Sequence, residues 1–175
     1  MQDDVTDGVK ALIDRGVADP RRICIVGASY GGYAALAGAA FTPDLYACAA
    51  SIGGISDLPG LLAYVDKQAG EESDTHLFWR ASIGSAHDAN VVARSPARSA
   101  MTVRAPILLI HGLDDTVVPI TQSELMDRAL KLAGKNSVFV KLANEDHWLS
   151  RTETRVRVLK ELESFLAANL GAAAH

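Results

Sequence analysis

Four short apolar runs punctuate the chain, set between stretches of helical periodicity. Val5, Val9, Leu12 and Ile13 recur at helical spacing within residues 3–16, and Asp19-Pro20 then breaks the pattern. The run Ile23-Cys24-Ile25-Val26 is rich in β-branched residues and stops at Gly27, which predicts a buried strand. Residues 30–41, rich in Ala and Leu, predict a helix ending before Pro43, and residues 47–52 predict a second strand. The stretch 53–104 is less regular: helices are predicted at 58–66 and 75–83, and Ser95-Pro96 marks a turn. Residues 107–110 read as a third strand. Thr121 and Glu124 form a potential capping box for a helix running to Leu132. Residues 137–142 read as the fourth strand. Ser150 and Glu153 form a second capping box, and the helix behind it presents Val158, Leu159, Leu162, Phe165 and Leu166 on one face.

Unbroken apolar strands alternating with helices imply an α/β fold. The expected core is a parallel sheet of about four strands with helices on both faces. Reactive residues of such sheets belong at the carboxyl ends of the strands. Residues 1–170 are expected to form one unit, and the Ala-rich tail 171–175 to fray.

Composition narrows the function classes. A length of 175 residues fits one domain, and 49% hydrophobic with 22% charged residues excludes a disordered chain. A net charge of −4 has the wrong sign for nucleic-acid binding by a basic footprint. No apolar run reaches the ~18 residues of a membrane span, and the first residues lack the pattern of a signal peptide, so a cytoplasmic location is expected. Cys24 and Cys48 are too few for a disulfide framework, and each reads as a small core residue.

The chemistry sits at Gly27-Ala28-Ser29-Tyr30-Gly31, which matches G-x-S-x-G between a predicted strand and a predicted helix. That is the setting of a nucleophile elbow: a tight turn flanked by small residues that lifts a hydroxyl clear of the backbone. The Tyr30 backbone N–H, at the helix N-terminus, is placed to stabilise an oxyanion. The plainer alternative is that Ser29 caps the helix. A hydroxyl nucleophile needs a base and the base an orienting acid, in the chain order Ser, acid, His. The third strand runs into His111-Gly112-Leu113-Asp114-Asp115, and the fourth into Asn144-Glu145-Asp146-His147-Trp148. Three strand ends thus offer the three groups in order, with Asp114 and Asp115 both open as the acid.

At these residues the chain resembles the prolyl oligopeptidase family of serine peptidases, in the C-terminal part of the α/β-hydrolase catalytic domain. The matching segments are Gly27-Ala28-Ser29-Tyr30-Gly31-Gly32-Tyr33, Pro106 to Gly112, Asp115-Thr116-Val117-Val118-Pro119 with Gln122-Ser123, and Glu145-Asp146-His147-Trp148. The Ser-Tyr-Gly-Gly-Tyr form points to the dipeptidyl-peptidase and acylaminoacyl-peptidase branches. The resemblance implies Ser29 as nucleophile and His147 as base. It favours Asp115 as acid, four residues before Pro119, with Asp114 bonding to backbone. It also implies that Tyr30, Ile55, Leu58 and Val118 line the pocket for the residue before the scissile bond. His111 becomes a structural residue of the strand end.

The resemblance also exposes a departure. The family carries a β-propeller and several sheet strands ahead of the elbow, together with an upstream tyrosine as second oxyanion donor. None has a counterpart here, so a partial fold is expected, either a fragment or a truncated product. Its first strand would lack a neighbour, which favours a homo-oligomer or a partner segment that supplies the missing strands. No metal or organic cofactor is implied: His76 and His87 lack ligand spacing, and Gly53-Gly54 is followed by no phosphate-loop lysine. Trp79 is expected to pack in its helix or to wall the acyl pocket. The expected activity is serine-type hydrolysis of a peptide or acyl substrate. An esterase or a non-catalytic fragment remain the rivals, and neither nucleic acid nor membrane is an expected partner.

Overall fold

The computed structural model describes residues 2–70 and 72–171. The fraying expected at 171–175 therefore lies outside the described residues, apart from Gly171, the C-cap residue of the last helix.

Four parallel strands, β1 (Cys24–Ala28), β2 (Cys48–Ile52), β3 (Ile107–Gly112) and β4 (Ser137–Leu142), stand in the order β1-β2-β3-β4. Helix α1 (Gln2–Asp14) precedes them, and α2 (Tyr30–Phe41) crosses from β1 to β2. α3 (Leu58–Ala69), α4 (Asp74–Ile83), α5 (Ala89–Ala93) and a 3₁₀ segment (Pro96–Thr102) lead from β2 to β3. α6 (Thr121–Leu132) links β3 to β4, and α7 (Thr152–Leu170) closes the chain. The α/β expectation holds, with four strands and helices on both faces.

Alternation across the strands sorts the core into two layers. On one face Ala49, Ile107 and Leu109 pack under Leu36 of α2 and Met126 and Leu130 of α6. On the other, Ala50, Leu108, Ile110, Val140 and Leu142 pack under Val158, Leu162 and Phe165 of α7. α2 is apolar nearly all round and is accordingly buried along its length from Ala34 to Ala40. A third cluster, Ile55, Leu58, Leu61, Val65, Val91 and Val118 with Tyr33, Trp79 and Ile83, forms beside the carboxyl ends of the strands, where α3, α4 and α5 gather.

Several local expectations are corrected. β1 is not a buried strand. It is the edge of the sheet, none of its five residues is buried, and Val26 is 42% exposed. Cys24 and Cys48 are register partners across β1 and β2 and form a disulfide, so neither is a free core thiol. Neither capping box forms. Thr121 already lies inside α6 behind Ile120, and Glu124 reaches instead to Lys141 of β4 at 2.6 Å. Ser150 Oγ is taken by Asp146 at 2.7 Å, and α7 starts only at Thr152. Leu159 does not join the apolar face of α7 but is exposed. The irregular stretch holds more order than its pattern announces. Asp57 caps α3 by accepting from Gly60 N–H at 3.0 Å, and Ser73 caps α4 by accepting from His76 N–H at 3.1 Å. Among the described residues no helix is long and apolar enough to cross a membrane.

Candidate active site

All four strands point their carboxyl ends at one place. Ser29 follows β1, Gly53 follows β2, Asp115 lies just past β3 and His147 just past β4. Ser29 adopts φ 56° and ψ −118°, a conformation that residues with a Cβ avoid, and makes no side-chain cap to α2. The helix-cap alternative is therefore set aside. The turn is tight enough that a Cβ on Gly27 would collide with the Gly31 backbone, so glycine is required there. Ser29 N–H is held by the Ile52 carbonyl at 2.9 Å, which ties the turn to the end of β2.

The freed hydroxyl meets an imidazole. Ser29 Oγ lies 3.0 Å from His147 Nε2, and His147 Nδ1 lies 2.7 Å from Asp115 Oδ2. The other carboxylate oxygen, Asp115 Oδ1, accepts from the N–H groups of Val117 at 2.9 Å and Val118 at 2.8 Å. Burial alone would push the Asp115 carboxyl up. Hydrogen bonds from His111, His147 and the Val118 N–H, with the charge of His147, outweigh it and hold the group below its ordinary value. Asp114 is exposed and bonds through its N–H to the Glu145 carbonyl at 3.0 Å, so it braces the acid loop against the histidine loop. The histidine loop is held by Asp146, which accepts from Trp148 N–H at 2.9 Å and from the Ser150 hydroxyl at 2.7 Å. Chiefly because of that hydroxyl, the Asp146 carboxyl lies below its ordinary value. The Trp148 ring packs edge-on against His147, with centroids 5.2 Å apart.

Two contributors to the site have roles that the sequence reading did not give them. Gly53 adopts φ 54°, and a Cβ there would lie 3.3 Å from Asp115 Oδ2 and 3.7 Å from His147 Nδ1, so glycine leaves room for the acid–imidazole contact. Its signal was a Gly-Gly pair directly after a strand. His111 is the second: its position was read as structural, but its ring touches Asp115, with Nε2 at 3.3 Å from Oδ2.

A cavity of about 490 Å³ reaches Tyr30, the residue after Ser29; its lining includes Tyr33, Ile55, Leu58, Trp79 and Val91 and extends to Phe41 at the far end of α2. Tyr30, Ile55 and Leu58, expected from the sequence to line a substrate pocket, all line this cavity. Val118, 1% exposed, packs in the cluster behind the lining rather than on it. Trp79 walls the cavity. Tyr33 donates to the Arg94 carbonyl at 3.1 Å, and burial pushes its phenol up. His76 is buried with its Nδ1 against the Asp66 carboxylate, away from this cavity's lining. No group of three or more His, Cys, Asp or Glu side chains that could hold a metal occurs among the described residues.

The sequence model of the prolyl oligopeptidase family matches residues 1–173. The chain belongs to the prolyl oligopeptidase family. Dipeptidyl aminopeptidase BIII of Pseudoxanthomonas mexicana is 31% identical over 183 residues, which span 98% of this chain and 25% of that protein. Among solved structures, a puromycin-hydrolyzing peptidase of Mycobacterium tuberculosis superposes with a TM-score of 0.83 at 31% identity, covering 98% of this chain and 25% of that one. The acylaminoacyl peptidase of Pyrococcus horikoshii superposes with a TM-score of 0.83 at 27% identity, covering 99% and 28%. The chain thus spans about a quarter of the length of the relatives it matches. The four-stranded sheet corresponds to part of the α/β-hydrolase catalytic domain of this family.

Proposed function

We propose that this chain carries the catalytic triad of a serine peptidase, with Ser29 as nucleophile, His147 as general base and Asp115 as orienting acid. One observation carries the reading: a serine in a strained elbow conformation, 3.0 Å from an imidazole nitrogen whose opposite nitrogen lies 2.7 Å from a buried carboxylate. Ser29 Oγ attacks the carbonyl carbon of the substrate while His147 Nε2 takes the hydroxyl proton. Asp115 fixes the tautomer with Nδ1–H toward the acid and stabilises the imidazolium that forms. His147 then gives the proton to the leaving amine, an acyl-enzyme remains on Ser29, and water attacks it by the same route.

Tyr30 is the first residue of α2, so its N–H projects at the helix N-terminus beside Ser29, where an oxyanion develops. The cavity walled by Tyr30, Ile55, Leu58 and Trp79 receives the side chain before the scissile bond, and its lining favours an apolar one. The substrate class is a peptide or an acylated peptide, by analogy with relatives named dipeptidyl aminopeptidase and acylaminoacyl peptidase. The Cys24–Cys48 bond favours an oxidising compartment over the cytoplasmic location expected from the sequence.

The test compares a peptidyl p-nitroanilide with a p-nitrophenyl ester of the same acyl group. A peptidase acylates from both, and the two share one deacylation rate because they form one acyl-enzyme. Ester turnover with no detectable anilide cleavage, in this chain and in one extended upstream, would replace the peptidase reading by an esterase.

A further inference from the structure

His111, the second-to-last residue of β3 before the acid loop, is a buried titratable group that the mechanism above does not use. It is 0% exposed. Its Nε2 lies 2.9 Å from the Val118 carbonyl, which can only accept, so Nε2 carries the ring proton. Nδ1 of the neutral ring is then an acceptor, and it lies 2.7 Å from Ser123 Oγ, whose hydroxyl can donate to it. The same Nε2–H faces Asp115 Oδ2 at 3.3 Å, the oxygen that meets His147 Nδ1.

The consequence lies in the freedom of an aspartate. Its terminal torsion is broad, so the carboxylate plane must be set from outside. Two backbone N–H groups, of Val117 and Val118, fix Oδ1. His111 supplies the remaining constraint: it faces Oδ2 directly and also holds the carbonyl of Val118, whose own N–H bonds Oδ1. We propose that His111 is a positioning residue for the triad. In the Nε2–H tautomer required by the Val118 carbonyl, with Ser123 holding Nδ1, it keeps the Asp115 carboxylate and the 115–118 turn so that Oδ2 stays aimed at His147. This deepens the serine-hydrolase reading above and rests on it.

The test reads the rate at which a fluorophosphonate modifies Ser29, and the low-field proton resonance of His147 Nδ1–H. Thermal unfolding reports foldedness. His111→Leu keeps bulk and removes both nitrogens; it should slow modification by about 10–100-fold, the scale of an ångström-level misplacement, and shift or abolish the resonance. His111→Gln returns a donor close to Nε2 and should recover most of the rate. Ser123→Ala removes the hydroxyl that holds Nδ1, loosening the ring while the Val118 carbonyl still keeps the proton on Nε2, and should fall between. A folded His111→Leu protein with wild-type rate and resonance overturns the proposal, as does a Gln variant no faster than Leu. If the Leu variant does not fold, Ser123→Ala decides: a wild-type rate and resonance there count against it. Failure of the underlying reading looks different, since Ser29→Ala would then be modified as fast as the parent.

Discussion

At the scale of single residues, the site is built from one strained backbone and one shielded carboxylate. A non-glycine residue at φ 56° and ψ −118° costs on the order of 1–3 kcal/mol. The strain has a use, since it turns the hydroxyl toward His147. Removing it without the chemistry should stabilise the fold. Ser29→Gly is expected to unfold at higher denaturant than Ser29→Ala, by ~1 kcal/mol, and equal midpoints would mean the elbow stores no strain. The acid gives a second prediction. Asp115 is held below its ordinary value, so its contribution to stability is complete above the usual carboxylate range and is lost as pH falls through the folded-state value. It therefore stays ionised from pH 5 to 8. The pH profile of Ser29 reactivity should therefore carry no ionisation from Asp115 across that window, and no limb steeper than one proton. A limb steeper than one proton would show that Asp115 titrates there too. The grouping of Ser29, Asp115 and His147 was legible in the sequence because a hydroxyl, a carboxylate and an imidazole stand in one order at strand ends. The roles of Gly53 and His111 were not, because they depend on which loops meet in space.

At the scale of elements, hydrophobic period located the strands and the long helices well, since apolar runs between helices leave little choice. It located helix starts poorly. A capping box is a local pattern, and competing partners displace it: Lys141 of β4 takes Glu124 across the fold, and Asp146, four residues upstream, takes Ser150. The short α5 and the 3₁₀ segment escaped because so few residues carry no period. The disulfide escaped for another reason. Its two cysteines are 24 residues apart in sequence and become neighbours only when β1 pairs with β2 in register. Closing a loop of that length stabilises by about 3 kcal/mol in the chain-entropy account. Thiol titration of the unfolded protein should find no free thiol before reduction and two after it, and reduction should lower the unfolding midpoint. Two thiols before reduction would contradict the bond.

For the whole molecule, the sheet stops at β1, and that edge is open along its length. Its residues are exposed or half-buried, and the face that carries Val26 is uncovered there. An open apolar edge strand is a template for pairing. The 175-residue chain is expected to self-associate at micromolar concentration, and a chain extended upstream to add neighbouring strands to remain monomeric. Light scattering coupled to size exclusion checks this, and a monodisperse monomer of the short chain would go against it. The burial of β1 was misjudged because a run of Ile, Cys and Val reads the same whether the partner strand is present or not.

The account rests on Ser29 being a nucleophile activated by His147, and one measurement bears on that most directly. The chain is treated with a fluorophosphonate and digested, and the modified serine is identified by mass spectrometry, beside Ser29→Ala and His147→Ala proteins shown to be folded. The expected result is a single adduct on Ser29, none in Ser29→Ala, and a rate lowered by at least about 1,000-fold in His147→Ala. An adduct on another serine, or a His147→Ala protein modified as fast as the parent, would contradict the account.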